Sequence, residues 1–452
     1  MNTSACVVRS GVTLLLCSIL GSATVAAPFQ EITHEHSRDG GDEHSHVDPV
    51  EEGVLPRSAV PSAVKPHGVA AEDDQAAEDG PQTDEQPLSL QDVLDSFGPS
   101  IELYANSIGR VDDRRVENHE GERVDDRFYF RELELNIRSQ LGEWGEGVVV
   151  LASHAETPGE FETGVEEAFV TLLDPPLLQD AIPGELHVGI GRFRSHFGRL
   201  NRLHTHAFPA PLRSLAFENF FGEEGLVSDG VRSSLLHESD GGSIQATVEV
   251  FNGGGFPIAA ENDNEDPAFV GRLFATTELA DGHSLELGTS VYRGAFDLES
   301  TRRSLLVGTD LAYVWRGEEG RLVRVATEAY YGSVSGHGEE EGEQDEEEDP
   351  GHGEFESPLS PSSPCGFTAR AELWFTDRTA LTGRFDWTEL LVDEDEESRR
   401  LGLFLTHFPL DDVRFRIGYE RTLSTEDEFD GLDTGLLEVQ FRFGKHRKGH
   451  DH

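Results

Sequence analysis

From Ser100 onward the chain alternates between apolar and polar residues in segments of about ten, separated by turn residues; a period of two marks a strand with two unlike faces. In 380–387, Leu381, Phe385 and Trp387 share one face with Gly383, while Thr382, Arg384 and Asp386 take the other. In 305–315, Leu305, Val307, Leu311, Tyr313 and Trp315 oppose Gly308 and Asp310. In 437–443, Leu437, Val439, Phe441 and Phe443 oppose Glu438, Gln440 and Arg442. The pattern predicts sixteen strands, starting near residues 100, 127, 147, 164, 186, 226, 242, 268, 284, 303, 321, 365, 379, 398, 412 and 434.

The connections sort by length. Short ones read GEWGEG (142–147), ESDGG (238–242), ADGH (280–283), GEEG (317–320), TDRT (376–379) and PLDD (409–412). Long ones span 111–126, 195–225, 253–267, 335–363 and 424–433, and 174–185 is long for the short class. An even number of strands with short turns at one end and long loops at the other predicts an all-β fold, a transmembrane antiparallel β-barrel of sixteen strands over 100–444, with both chain ends on the short-turn side. A water-soluble sandwich can alternate in the same way but has no reason to sort its loops. One irregularity stands out between 127 and 141, where Phe128 and Phe130 are out of phase with Leu133, Leu135 and Ile137. Either a bulge lies there or aromatic residues face the lumen.

Outside the barrel the pattern is lost. Residues 1–27 read as a secretory signal: Arg9 supplies the positive charge, Val12 to Leu20 the apolar core, and Val25-Ala26-Ala27 the small residues before cleavage. The apolar core is too short for a membrane-spanning helix, which needs about 20 residues. Residues 28–87 are rich in Asp, Glu, Pro, Ala and His, a composition that cannot bury a core and predicts a disordered periplasmic tail. Residues 88–99 include LSLQDVLDSF, a short helix or linker, and 445–452 form a His-rich C-terminal tail. Removal of the signal leaves Cys365 alone, which excludes a disulfide framework and a cysteine metal site.

The net charge of −51 changes this picture only through its distribution. Residues 28–88 hold fifteen acids against three basic residues, and 335–363 hold eleven acids and no Lys or Arg. The acidity therefore describes tails and loops, and its repulsion of phosphate argues against nucleic acid as a partner. Mean hydropathy of −0.43 does not oppose a membrane location, because every second barrel residue faces water.

The pattern over 100–444 resembles the bacterial outer-membrane porins. The last strand, LLEVQFRFG, ends in an aromatic, Phe443, although the tail GKHRKGHDH follows it. LHVGIGRFRSHFGRLN (186–201) is similar to the strand and following loop of phosphate-selective-type porins, a Gly-rich strand running into Phe-Gly. The 195–225 segment sits where sixteen-stranded porins fold a loop into the lumen. The resemblance implies an outer-membrane channel for passive diffusion of small hydrophilic solutes or ions. It also implies contact with outer-membrane lipid and lipopolysaccharide and insertion by the barrel-assembly machinery, and it leaves the oligomeric state open, a homotrimer being one possibility. The plugged TonB-dependent receptors are a poorer match, since 28–99 is too short for their plug and the chain has no room for 22 strands. The competing class is a non-conducting barrel that acts as a surface-binding or structural protein.

A pore selects by width and by rings of charged side chains. Alternation turns Arg138, Arg272, Arg324, Arg370, Arg384, Arg414, Arg416 and Arg442 inward, with Glu134, Glu249, Glu286, Glu328, Glu372 and Asp386 among the inward acids. These groups either neutralise one another across the wall or set up a basic strip facing acidic groups. Histidine supplies the other candidate chemistry. His34, His36, His44, His46, His204, His206, His446, His450 and His452 lie beside carboxylates, a donor set suited to a weakly bound divalent metal such as zinc. His204 and His206, two apart in the candidate constriction loop, point the same way if that segment is extended, and Glu218, Glu223 and Glu224 share the loop. They are candidates for metal transit, against the plainer alternative that both hydrogen-bond the wall. No cofactor is required. No G-x-S-x-G or H-E-x-x-H element is present, and no enzymatic activity is expected.

Overall fold

The computed structural model describes residues 99–444, apart from 115, 118–122, 125–126, 143, 158–159, 176–183, 223–224, 253–265, 296–302, 336–362, 390–396 and 426–429. The candidate signal, the 28–87 tail, the candidate helix in 88–98 and the C-terminal tail, with their histidines, lie outside the described residues.

Sixteen strands form one closed barrel, each paired antiparallel with its sequence neighbour. They are β1 (Ser100–Asp112), β2 (Arg127–Gln140), β3 (Gly145–Thr157), β4 (Glu160–Leu173), β5 (Glu185–Arg194), β6 (Val227–Ser239), β7 (Gly242–Phe251) and β8 (Ala268–Ala280), followed by β9 (His283–Ala295), β10 (Arg303–Arg316), β11 (Leu322–Ser335), β12 (Cys365–Thr376), β13 (Thr379–Glu389), β14 (Glu397–Leu410), β15 (Val413–Ser424) and β16 (Leu432–Gly444). β1 pairs with β16 from Glu102↔Gly444 to Asp112↔Thr434, so no edge remains. A two-residue hairpin (Val116–Glu117 with Arg123–Val124) decorates the β1–β2 loop.

The outer face is apolar: Leu305, Leu311, Leu401, Leu403, Leu405 and Ile417 all point away from the lumen. Outward aromatics gather at both rims. Phe128, Phe130, Phe161 and Phe269 lie towards the long-loop end, and Trp144, Phe375, Phe415, Phe441 and Phe443 towards the short-turn end. An apolar band between two aromatic girdles is what a strand set immersed in lipid requires. The three example strands face as alternation predicts, with Thr382, Arg384, Asp386, Asp310, Glu438 and Gln440 turned inward and buried.

The loop sorting has two exceptions. The β4–β5 connection runs 174–184 at the short-turn end, as its length forewarned, and the β3–β4 connection at the long-loop end is only 158–159. The slipped alternation in β2 is a bulge. Asn106 pairs with Glu132 and Ser107 with Phe130, which leaves Arg131 as the extra residue. Phe128 and Phe130 therefore face outward, not into the lumen.

Residues 195–222 fold into the barrel. Their helix α1 (Leu215–Phe221) starts at Ser214, whose hydroxyl accepts the Phe217 amide at 3.1 Å, and stops at Gly222 with φ +67°. Phe197, Phe208, Phe217, Phe220 and Phe221 pack against inward Phe251, Val270, Tyr292, Leu306 and Tyr330 to make an apolar core inside the barrel. A fully buried Phe is worth roughly 1.5–3 kcal/mol, against about 1 kcal/mol for a neutral hydrogen bond. Apolar packing therefore holds the loop, and polar contacts set its position.

Candidate functional site

A second bulge matches the first. In β4, Val150 of β3 pairs with Glu167 and Leu151 with Val165, which leaves Glu166 as the extra residue. An extra residue in a strand lets two consecutive side chains share one face. Glu166 and Glu167 both turn into the lumen, as do Arg131 and Glu132 on β2. His154 of β3 lies directly opposite Glu132 in the register. Three adjacent strands thus gather Glu132, Glu134, His154, Glu166 and Glu167 on one inner patch.

The inserted loop brings its histidines to this patch. His204 Nδ1 lies 2.7 Å from Glu166 Oε2, and its Nε2 lies 2.9 Å from Glu167 Oε2. Glu134 Oε2 is 2.9 Å from His206 Nδ1 and 3.6 Å from His204 Nδ1. The two imidazoles lie nearly parallel with centroids 5.8 Å apart, and His206 stacks on Tyr104 at 3.7 Å. Arg194 closes the patch, donating from its guanidinium to Glu166 at 2.9 Å and from its amide to Glu167 at 2.7 Å. His154 Nε2 sits 3.3 Å from Glu166 Oε1.

Two loop histidines show how far this environment departs from the rest of the lumen. Burial alone lowers the pKa of His204, and Arg194 opposes its charge, but Glu134 and the hydrogen bonds to Glu166 and Glu167 raise it to about 10. A wall carboxylate faces each nitrogen of the ring. His196 is held well below the usual histidine range by burial and by Arg232, Arg202 and Arg272, and so is neutral.

Arg272, Arg324, Arg370, Arg384, Arg414 and Arg416 are buried on the inner wall, where most charges serve each other. Arg272 grips Asp310 through two nitrogens at 2.7 and 3.1 Å. Arg370 meets Glu372 at 2.9 Å, and Arg324 approaches the same carboxylate at 3.9 Å. Arg384 pairs with Asp386 at 3.0 Å and with Glu420. Arg414 and Arg416 converge on Glu438 at 3.4 and 3.2 Å, joined by the bulge residue Arg131 at 2.9 Å. Arg442 pairs with the turn residue Asp412 at the short-turn rim, and Arg138 is exposed beside Asn136. Mutual pairing is therefore the main fate of the predicted pore-lining arginines.

Several inward acids do something alternation could not show: they anchor loop backbone. Glu249 accepts the His196 amide at 3.0 Å, Glu328 accepts those of Arg199 and Leu200 at 3.1 and 3.0 Å, and Asp386 accepts that of Leu215 at 3.3 Å. Glu286 pairs with Arg199. A cavity of about 20 Å³ lies between the loop and β11–β13, lined by Arg199, Pro209, Glu328, Thr368, Arg370 and Arg384. That is room for a water molecule.

Glu218, Glu223 and Glu224 share the loop with the two histidines. Glu218 lies on α1 and approaches Arg400 at 3.9 Å, and Glu223 and Glu224 lie outside the described residues. The carboxylates come from the wall instead. Glu132, His154, Glu166 and Glu167 were missed, although two signals pointed to them: the slip in β2, and consecutive glutamates inside an alternating strand.

No family model matches the chain, and no curated protein matches it. The fold is similar to solved outer-membrane porin structures. OprB of Pseudomonas putida is 10% identical, with a TM-score of 0.49 over 78% of this chain and 96% of that one. The outer-membrane channel DcaP of Acinetobacter baumannii is 11% identical, with a TM-score of 0.47 over 76% and 97%. An anion-selective porin from Comamonas acidovorans is 10% identical, with a TM-score of 0.47 over 77% and 100%.

Proposed function

We propose that this chain is an outer-membrane channel of the porin type, passing ions and small hydrophilic solutes passively through a narrow, charge-lined lumen. The observation that carries the reading is a closed sixteen-strand barrel with an apolar exterior, a charged inner wall and a loop folded inside. A lipid-facing exterior explains the closure, but it does not require ionised groups inside. Rings of such groups serve a water-filled path. In this reading the 1–27 signal directs export, and both chain ends and the short turns face the periplasm. The inserted loop and the paired wall charges would narrow such a path, which restricts it to small solutes.

Liposome swelling tests this. Vesicles carrying the purified protein should swell in small sugars and lose that response as solute size rises. No swelling from verified, inserted protein would favour a barrel that binds at the surface and does not conduct. A zinc-linked role is the finer part of the reading, supported by His204 and His206 beside the wall carboxylates. It predicts that zinc starvation raises expression; a flat response removes it.

A further inference from the structure

We infer that Glu132, His154 and Glu166 form a site for one divalent transition-metal ion of the zinc class, on the lumen wall where β2, β3 and β4 meet the inserted loop. One donor atom from each residue lies within 4.8 Å of the other two. Glu166 is shared with His204, which with Glu134 makes a second, overlapping group of the same kind. An ion at this position would tie three wall strands, through Glu166, to the loop.

The independent sign of a ligand is Glu132. It is only 2% exposed, and neither of its carboxylate oxygens has a hydrogen-bond partner among the described residues. A buried carboxylate left unpaired is costly, and burial of such a group ordinarily means a partner or a metal. Its neighbours do not satisfy it. Arg131, next to it in the bulge, reaches Glu438 and the Pro211 carbonyl instead, and Arg194 is spent on Glu166. His154 stands opposite Glu132 in the register, with its imidazole already close to Glu166. Two carboxylates and an imidazole are a mixed oxygen and nitrogen set that suits zinc better than calcium or magnesium, which prefer oxygen alone. Three protein ligands leave a position for water. The bulge at Glu166 gives the site its reason in the fold, since regular alternation would point only one of Glu166 and Glu167 inward.

This site stands whether or not the lumen conducts, because its test reads bound metal and no flux. The background is the full chain with His34, His36, His44, His46, His446, His450 and His452 replaced by alanine, loaded with zinc alone and desalted. It should retain one zinc per chain by elemental analysis, and X-ray absorption should show an oxygen and nitrogen shell that includes imidazole. His154→Ala and Glu132→Gln, each checked for folding by its heat-dependent gel shift, should weaken zinc binding more than the roughly 10–100-fold that loss of an outer-shell partner costs. Glu132→Gln removes an unpaired buried charge and keeps its shape, so the barrel should close normally. Retention of the same zinc by folded His154→Ala or Glu132→Gln would overturn the assignment. So would an absorption spectrum without imidazole, which requires no variant.

Discussion

Two arcs of the inner wall solve the same problem in opposite ways. In β13–β16 alternation is strict and each buried charge meets its opposite on the same or a nearby strand: Arg384 with Asp386 and Glu420, Arg414 and Arg416 with Glu438. In β2–β4 two bulges break the alternation and crowd four glutamates together, and the opposite charge arrives largely from elsewhere, from Arg194 at the end of β5 and from His204 on the loop. The first arc pairs its charges without the inserted loop, although Arg384 and Asp386 also bond loop backbone. The second is incomplete without it, and even with it Glu132 has no hydrogen-bond partner among the described residues. Strict alternation builds a self-neutralising wall, and a bulge builds a receptor for something that comes from outside the wall.

The largest effect tests the self-neutralising arc. Glu438→Ala leaves Arg131, Arg414 and Arg416 without their common carboxylate and should cost about 3–5 kcal/mol of barrel stability, as removal of one partner of a buried pair does; urea unfolding in lipid vesicles measures it. A loss under 1 kcal/mol would mean that these arginines find water, and the arc would not be closed on itself. Next comes the seat of the loop. Gly198 has φ +65° and faces Glu328, so a methyl group would be strained and would overlap Glu328 Oε1. Gly198→Ala should cost about 1–3 kcal/mol and make 195–222 sensitive to protease while the barrel stays closed. Deletion of Glu166 removes the bulge. It should keep the folded, heat-shifting barrel but also expose the loop to protease, because His204 loses a carboxylate; continued protection would show that apolar packing alone seats the loop. The smallest effect belongs to the rim. Arg442→Ala breaks an exposed pair with Asp412 and should change stability by less than about 1 kcal/mol.

Much of the barrel is legible in the sequence because a period of two is forced on any strand between lipid and a polar lumen. The predicted strand starts near 147, 164 and 434 lie at Gly145, Glu160 and Leu432, and the others fall closer. Register carries the inward arginines with it. What periodicity could not show is of two kinds. Inward Phe251, Tyr292, Leu306 and Tyr330 are apolar because they meet the loop core, and a loop that packs by its own side chains has no period. The glutamate patch depends on bulges, and a bulge shows only as a slip of phase. That slip was visible in β2 at Phe130 and Leu133, but its consequence for Glu132 needed the partner strands. His204 and His206 were identified by type and spacing, whereas their carboxylates come from strands more than thirty residues away.

The most direct test of the channel reading is single-channel recording of the purified full-length protein in planar bilayers. The account predicts stable open steps that scale with salt concentration. Silence from protein shown to be inserted and folded would contradict it.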